Sequence, residues 1–409
     1  MNSNKTYSNP DSDSDSDSDS DCSVNEIDWK GHIINSKYLI INNIGSGSYC
    51  TVWNVYDIEN KNYIAFKIYN NDDTEDAINE KKIMDEIRKL KIKNIVLYEK
   101  SFLYKYEDNE YVIDIMPQYG YSLNDIRKLL RDNLNLNDEN DNKIYNKYVE
   151  FLVKSKNTLL ESLNILHDNN YVHSDIKPEN ILIDIPRLDT IILFEQIKNK
   201  SYELRKLKHS KFLSILSDYA IKISDNINIS TSNILKYLEN FNFNIKLCDM
   251  GTTLKINSSE IYKKHTSYYK SPMIILKYPL DKTYDYWSLS CTLYELITFN
   301  VLFDPFEENL VEKYDDIEDF NLLYLIISTI GLPSIDIIKN SSVKDIYFTF
   351  DYKSLRYYNK FILNPYINNI LYYVNEFNKK NILELLDFIT QNLIFQNLIS
   401  QNLISQNTT

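Results

Sequence analysis

The chain has 409 residues, of which 43% are hydrophobic and 25% charged, and its formal net charge at pH 7 is −13. A chain of this length exceeds a typical single domain, so two lobes or two domains with a large buried core are expected. The negative charge argues against a nucleic-acid partner and favours basic partners, and the four scattered cysteines argue against a disulfide framework or a Cys-x-x-Cys zinc site.

Residues 1–28 form an acidic tail that we predict to be disordered. Asp and Ser alternate strictly from Asp11 to Asp21, without an apolar residue that could offset the entropy of ordering. The tail is either a solubilising extension or a phosphorylatable arm that folds back on a basic region. Because the chain shows neither the apolar segment of a signal peptide nor a membrane-length apolar run, we expect an intracellular protein, cytoplasmic and also nuclear, with no membrane partner.

Strand-like runs follow at 38–41, 45–53 and 63–67. Within the second run, Gly45 and Gly47 would let backbone amides approach a phosphate group without a side-chain clash. A glycine pair of this kind is a weak signal alone, because an ordinary hairpin turn can also carry it.

A helix is predicted next, at 74–90, because apolar residues recur there at three- and four-residue spacing. Glu80 lies beside the apolar stripe of this helix, 13 residues after Lys67. If Lys67 has a glutamate partner on this helix, these features favour Glu80 over Glu86.

Further strands are expected at 95–98 and 111–116, followed by a connecting segment, Met-Pro-Gln-Tyr-Gly, at 116–120. Helices are expected at 123–130 and at about 148–168, with an Asn/Asp-rich stretch between them.

The segment 171–183 carries the clearest chemical pattern. Short apolar runs flank a polar loop with Asp175, Lys177 and Asn180 at fixed offsets, which a solvated turn between two strands would not need. The pattern resembles the catalytic loop of protein kinases. In that role Asp175 accepts the proton of an attacking hydroxyl, Lys177 neutralises charge on the moving phosphoryl group, and Asn180 binds a divalent metal.

About sixty residues, 184–243, separate this loop from the run 243–251, which resembles the kinase strand and turn that bring a second metal ligand. The resemblance implies that Asp249 binds Mg²⁺ and that Met250 replaces the usual phenylalanine. The insert is polar, asparagine-rich and amphipathic in part, as at 227–238. It is either a docking or localisation segment or a tolerated loop insertion.

The same resemblance assigns the earlier residues to ATP. Lys67, held by Glu80, would bind the α- and β-phosphates, and the 116–120 segment would be the hinge that faces adenine. The residues implied in binding ATP are Gly45, Gly47, Val52, Ala65, Lys67, Glu80, Pro117, Tyr119 and Leu182.

The segments 252–273, 285–291 and 301–305 narrow the resemblance to the CMGC group of serine/threonine kinases, and most closely to the SR-protein kinase family. It implies an α+β, bilobal fold, with a mainly antiparallel β small lobe carrying one key helix at 38–119 and a mainly α large lobe at 120–390. Residues 391–409 would form a low-complexity tail. The usage of Asn, Ile, Lys and Tyr is typical of an AT-rich genome, such as that of a protist or a large DNA virus.

The implied activity is transfer of the γ-phosphate of ATP, with Mg²⁺, to serine or threonine of protein substrates that are basic or arginine/serine-rich. We expect a monomer. The acidic run 307–319 would correspond to a docking groove for arginine-rich peptides, or is simply a solvated loop. Asp285 would hydrogen-bond the backbone of the catalytic loop and fix its shape.

Two positions depart from the family pattern. The resemblance makes residues 252–270 the activation segment. Ser174 replaces the arginine that binds this segment once it is phosphorylated, which predicts constitutive activity. Met273 replaces a glutamate whose arginine partner is also missing, since the last arginine is Arg356. These departures leave a pseudokinase that acts as a binding or scaffold module as the alternative; a small-molecule kinase fits the activation segment less well.

Overall fold

The computed structural model describes residues 27–47, 49–70, 74–256, 265–306, 317–351, 355 and 379–393. The predicted disordered tail, apart from its last two residues, lies outside this range, as do most of the acidic run and nearly all of the C-terminal tail.

Antiparallel strands form the sheet of the small lobe. They are β1 (Ile33–Ile34), β2 (Tyr38–Ser46), β3 (Cys50–Asp57), β4 (Asn62–Tyr69), β5 (Lys100–Tyr106) and β6 (Asn109–Met116), in the spatial order β1-β2-β3-β4-β6-β5. Helix α1 (Thr74–Arg88) connects β4 to β5.

The strand predicted at 95–98 is wrong. Ile95 forms only an isolated bridge with Leu247, and the Val96 N–H donates to the Leu247 carbonyl at 2.8 Å. The backbone of this apolar segment therefore hydrogen-bonds to the large lobe and not to the small-lobe sheet. The edge strand of the small-lobe sheet is β5 instead. Its lysines and tyrosines interrupt the apolar residues, so the apolar pattern did not indicate a strand there.

Helices dominate the large lobe, with short strand pairs that join 171–172 to 254–255 and 181–183 to 245–247. In chain order the elements are α2 (Leu123–Asn133), α3 (Glu139–Asp168), β7 (Tyr171–Val172), β8 (Ile181–Ile183), α4 (Leu188–Leu204), α5 (His209–Asn226), α6 (Thr231–Leu238), β9 (Ile245–Leu247), β10 (Leu254–Lys255), α7 (Pro272–Ile275), α8 (Thr283–Thr298), α9 (Ile317–Ile330), α10 (Ile335–Asn340), α11 (Lys344–Tyr347) and α12 (Lys379–Asn392). The predicted α+β, bilobal architecture is confirmed.

Helix α3 begins nine residues earlier than predicted, at Glu139 rather than about 148. The side chain of Asp138 accepts hydrogen bonds from the backbone N–H groups of Asn140 and Asp141, which caps the helix. Acidic residues in the first turn favour the positive end of the helix dipole. The Asn/Asp-rich stretch between the two predicted helices therefore contains the start of α3.

Helix α8 is the centre of the large-lobe core. Trp287 in this helix is fully buried and stacks on Phe303, with ring centroids 6.0 Å apart. Helix α12 packs against α8 and α3, and Leu393 just after it is still buried. The packed chain therefore extends slightly past residue 390.

Helices α4 and α5 of the insert lie on the small lobe, whereas α6 contacts α2 of the large lobe. Along β2, Leu39 and Ile41 point to one face of the sheet and Ile40 to the other, as the two-residue period of a strand requires. On the first face, Leu39, Ile41 and Tyr56 pack against α4 and α5, and all three are at most 2% exposed.

In the described part of the chain, no helix is long and apolar enough to cross a membrane.

Candidate active site

The cleft between the lobes contains a lysine bound by two carboxylates. Lys67 Nζ on β4 lies 2.7 Å from both carboxylate oxygens of Glu80 on α1, and 3.2 Å from Asp249 Oδ1. The structure thus pairs Lys67 with Glu80 and not with Glu86, which instead contacts Tyr171 and Lys255.

The charged states of Lys67, Glu80 and Asp249 depend on one another. Burial alone would lower the pKa of Lys67, but the carboxylates of Asp249 and Glu80 raise it well above its ordinary value. The charge of Lys67 in turn lowers the pKa of Asp249. Lys67 is therefore a cation and Asp249 an anion at neutral pH, as binding of a phosphate and a metal would require.

The three polar residues of the 171–183 loop converge on one carboxylate. Asp175 Oδ2 accepts a hydrogen bond from Asn180 Nδ2 at 2.9 Å and lies 3.0 Å from Lys177 Nζ. Asp175 Oδ1 accepts a hydrogen bond from the Thr266 hydroxyl at 2.9 Å, and that hydroxyl accepts one from Lys177 at 2.9 Å. The carboxylate is held on both sides, so its orientation is fixed before a substrate arrives.

Asp285 hydrogen-bonds to the backbone of this loop, as the sequence resemblance predicted. Its two oxygens accept hydrogen bonds from the backbone N–H groups of His173 and Ser174, both at 2.9 Å, and its carboxylate also contacts His167 Nε2 at 2.8 Å. Burial alone would raise the pKa of Asp285, but these hydrogen bonds hold it below its ordinary value. Ser174 is thereby kept in the left-handed region, at φ 71°.

The donor set suits a hard divalent cation. The amide nitrogen of Asn180 is used by Asp175, which leaves its amide oxygen for a metal, and Asp249 offers a half-exposed carboxylate. Oxygen ligands of this kind are those that Mg²⁺ uses together with substrate phosphates. Among the described residues, no group of three or more His, Cys, Asp and Glu side chains forms a self-contained metal centre.

Gly45, near the end of β2, and Gly47, just after it, are not required by close contacts with the described residues. A Cβ added at Gly45 would have Val52 as its nearest neighbour at 3.7 Å, and one at Gly47 would come no closer than 3.9 Å to the chain. Both would be ordinary van der Waals contacts. Close approach of a ligand would give a reason for glycine at both positions.

The remaining residues predicted to bind ATP lie on strands and connections of both lobes. Val52 pairs with Lys67, and Ala65 with Met116, in the small-lobe sheet. Leu182 lies on β8, and the 116–120 segment is joined to this strand because the Gly120 N–H donates to the Ile183 carbonyl at 2.9 Å. Pro117 and Tyr119 lie in this segment, between β6 and the large lobe.

Met273 is buried in the large-lobe core, 2% exposed, where an apolar side chain needs no ionic partner. A different ion pair joins two helices of this lobe. Arg127 Nε on α2 lies 3.1 Å from Glu295 on α8, and both side chains are buried. The same glutamate accepts a hydrogen bond from Tyr269 at 2.5 Å, so it anchors the end of the activation segment.

Sequence reasoning missed several residues of the site, namely Tyr69, Asp114, His167, Thr266 and Glu295. Tyr69 Oη lies 3.0 Å from Glu80 Oε2, behind the lysine. Asp114 carried a signal that could have revealed it, since a carboxylate within the apolar run of β6 has no packing reason to be there.

Comparisons with known proteins agree with this geometry. The family model described as "Protein kinase domain" matches residues 38–194 and 227–349. The serine/threonine-protein kinase SRPK of Physarum polycephalum is 26% identical over 377 residues, covering 88% of this chain and 82% of that protein. The serine/threonine-protein kinase prp4 of Schizosaccharomyces pombe is 24% identical, covering 69% of this chain and 46% of that protein. A solved crystal structure of a kinase domain has a TM-score of 0.57 at 22% identity, covering 90% of this chain and 93% of that one.

Proposed function

The chain belongs to the protein kinase domain family, and we propose that it is an active serine/threonine kinase that uses ATP and Mg²⁺. The observation that carries the proposal is the preassembled site: Lys67 is bound to Glu80 and Asp249, and Asp175 is bound to Lys177 and Asn180. Because phosphoryl transfer depends mainly on positioning and electrostatic stabilisation, a complete and mutually bonded set argues for activity.

In this proposal ATP enters the cleft between the lobes. Val52, Ala65 and Leu182 enclose adenine, and the backbone of Pro117 and Tyr119 faces its edge. The backbone at Gly45 and Gly47 covers the phosphates, while Lys67 binds the α- and β-phosphates. Asn180 and Asp249 hold Mg²⁺, which supplies positive charge against the phosphate oxygens when it is bound.

The transfer step needs one proton acceptor and one counter-charge. The substrate hydroxyl oxygen bonds to the γ-phosphorus, the bond from that phosphorus to the ADP oxygen breaks, and the hydroxyl proton passes to Asp175. Lys177 neutralises the negative charge on the moving phosphoryl group. Burial alone would lower the pKa of Lys177, but the neighbouring Asp175 raises it, so this lysine stays charged.

We assign the chain to the CMGC group, nearest to the SR-protein kinases, and infer basic or arginine/serine-rich protein substrates. The net charge of −13 supports this, because it attracts basic peptides. Of the acidic run, Glu318 and Asp319 lie in the described range, and Asp319 Oδ1 binds Lys270 Nζ at 2.6 Å. That carboxylate already has a partner, so docking would depend chiefly on the remaining acids.

Phosphate transfer from labelled ATP to two peptides of equal length tests the activity and the substrate class together. One peptide is arginine/serine-rich, and the other has the arginines replaced by alanine or glutamine. We expect transfer to the first to be at least tenfold faster and to stop when Mg²⁺ is chelated. Equal labelling of both peptides would remove the substrate inference, and no labelling of either would favour the pseudokinase alternative.

The pseudokinase alternative draws on Met273 and the missing arginine. Both observations have a structural account, because Met273 is buried among apolar residues and Glu295 anchors the same segment through Tyr269. The departures therefore change how the large lobe is held together without removing a group from the reaction.

A further inference from the structure

A buried polar cluster lies behind Lys67, formed by β4, β6 and α1. Tyr69 Oη is 3.0 Å from Glu80 Oε2 and 3.3 Å from Asp114 Oδ2. Asp114 is the residue opposite Lys67 in the pairing of β4 with β6. Tyr69, Glu80 and Asp114 are each at most 4% exposed, so water does not satisfy their polar atoms.

The single hydroxyl hydrogen of Tyr69 lies within reach of the carboxyl groups of both Glu80 and Asp114. A phenol carries a single hydrogen and can donate one full hydrogen bond. Glu80 already accepts both hydrogen bonds from the Lys67 ammonium group, which identifies it as the ionised carboxylate. If Asp114 were ionised as well, one of its oxygens would face the lone pairs of Tyr69 at 3.3 Å, without a proton between them.

We infer that Tyr69 is a positioning residue for phosphoryl transfer, and that a neutral Asp114 sets the direction of its hydrogen bond. Asp114 donates its carboxyl proton to Tyr69 Oη, and Tyr69 donates its own proton to Glu80. Glu80 then holds Lys67 where it meets the ATP phosphates. This inference rests on the proposed kinase function, because it assigns Tyr69 to the same lysine.

The surroundings of Asp114 agree with its neutral state. Burial raises the pKa of Asp114, against the opposing effects of Ser101 on β5, Lys67 and Tyr69 on β4, and Lys81 on α1. Burial also raises the pKa of Glu80, and the hydrogen bonds from Lys67 and Tyr69 act against it. Glu80 therefore depends on both donors to remain an anion.

A pH dependence follows from this arrangement. Asp114 keeps its proton at every pH below its raised pKa, so the donor chain is complete there. As the pH rises through that pKa, Asp114 ionises and competes with Glu80 for the Tyr69 proton. The contact that holds Glu80 weakens above that pKa, and the activity should fall there.

Kinetics of the full chain test the positioning role. Tyr69→Phe keeps the ring and removes the hydroxyl, and Tyr63→Phe on the same strand is the matched control. We expect Tyr69→Phe to lower kcat/KM for ATP about tenfold, the scale of one hydrogen bond to a charged group, with no change in the KM for the protein substrate. Tyr63→Phe should equal wild type. Wild-type kcat/KM in Tyr69→Phe would overturn the inference.

Asp114→Asn tests the proton direction, because its amide N–H can replace the carboxyl donor but cannot ionise. Wild type should show a fall in kcat/KM as the pH rises through the pKa of Asp114, and we expect this variant to lose that fall. Infrared spectra at neutral pH should also lose a protonated-carboxyl band in Asp114→Asn but not in the exposed control Asp168→Asn. Identical spectra of Asp114→Asn and wild type would mean that Asp114 is ionised.

These outcomes separate the two proposals. A wild-type protein that transfers no phosphate would remove the kinase function, while the infrared spectra would still decide the proton assignment. An active wild type with an equally active Tyr69→Phe would remove only the positioning role.

Discussion

Ser174 shows how a single departure can be offset by its neighbours. Its carbonyl accepts a hydrogen bond from His265 Nδ1 at 2.9 Å, so the far end of the activation segment is tied to the catalytic loop. At the near end, Lys255 Nζ lies 2.9 Å from Glu86 Oε2, which joins β10 to α1. Neither contact needs a phosphate group, whereas the arginine that Ser174 replaces would act through one.

We therefore predict that the kinase does not require phosphorylation of its activation segment. Protein treated with phosphatase should phosphorylate a substrate within about twofold of the untreated rate, since no cation at position 174 is present to bind a phosphate. The measurement is initial rate before and after phosphatase, with the phosphorylation state of Ser258, Ser259 and Thr266 followed by mass spectrometry. A large gain in rate on phosphorylation of any of these residues would contradict it.

At the scale of elements, the insert is the main addition to the fold. It leaves the large lobe after β8, returns at β9, and places α4 and α5 on the outer face of β2 and β3. Gly31, at φ 79°, lies so close to α5 that an added Cβ would meet Ile221 Cδ1 at 2.4 Å. The family match omits 195–226, which includes all of α5, so this packing is an addition to the common domain.

Leu216→Ala on α5 should lower the free energy of unfolding by about 2–5 kcal/mol, because Leu216 is fully buried between the insert and the small lobe. Ser214→Ala, on the exposed face of the same helix, should change it by less than about 0.5 kcal/mol. Denaturant unfolding followed by tryptophan fluorescence measures both. Equal stabilities would mean that the insert is only loosely attached to the sheet.

At the scale of the whole molecule, one buried ion pair connects three parts of the large lobe. Arg127 on α2 binds Glu295 on α8, and Arg127 Nη1 also donates to the Phe299 carbonyl at 2.8 Å. Glu295 accepts from Tyr269, which belongs to the end of the activation segment. Burial raises the pKa of Glu295, and the charge of Arg127 opposes that rise.

Arg127→Ala should therefore destabilise the protein by about 3–5 kcal/mol, because it leaves the buried Glu295 without its cation. Arg131→Ala on the same helix is the control. That side chain is 48% exposed in its pair with Asp132, and such pairs contribute about 0–1 kcal/mol. Thermal and denaturant unfolding of both variants measure the loss of stability. Similar losses in Arg127→Ala and Arg131→Ala would contradict the role given to the buried Arg127–Glu295 pair.

The bilobal fold could be predicted because the 171–183 loop and the 243–251 run carry their chemistry at fixed spacing. The pairing of Lys67 with Glu80 followed from the helical period of α1. The packing of the insert helices on the small lobe could not be predicted. Each helix has an apolar face and a polar face, so the overall composition of the insert is polar and does not indicate burial. The run of apolar residues at 38–41 was the available signal, since a strand with both faces apolar is covered on both sides.

The role of Tyr69 was beyond sequence reasoning for another reason. A tyrosine in a strand packs well in most surroundings, so its type alone does not indicate a polar contact. Only the register of β4 with β6 brings its hydroxyl to Asp114 and Glu80.

The most direct test of the account compares wild type with Asp175→Asn in a single-turnover transfer from labelled ATP to an arginine/serine-rich peptide. Asp175→Asn should bind ATP with unchanged affinity, since Asp175 is assigned to the proton and not to the nucleotide, yet transfer phosphate at least 100-fold more slowly, the scale of a lost general base. Asp168→Asn, an exposed carboxylate on the preceding helix, should transfer at the wild-type rate. Full activity of Asp175→Asn would contradict the assignment of the catalytic site.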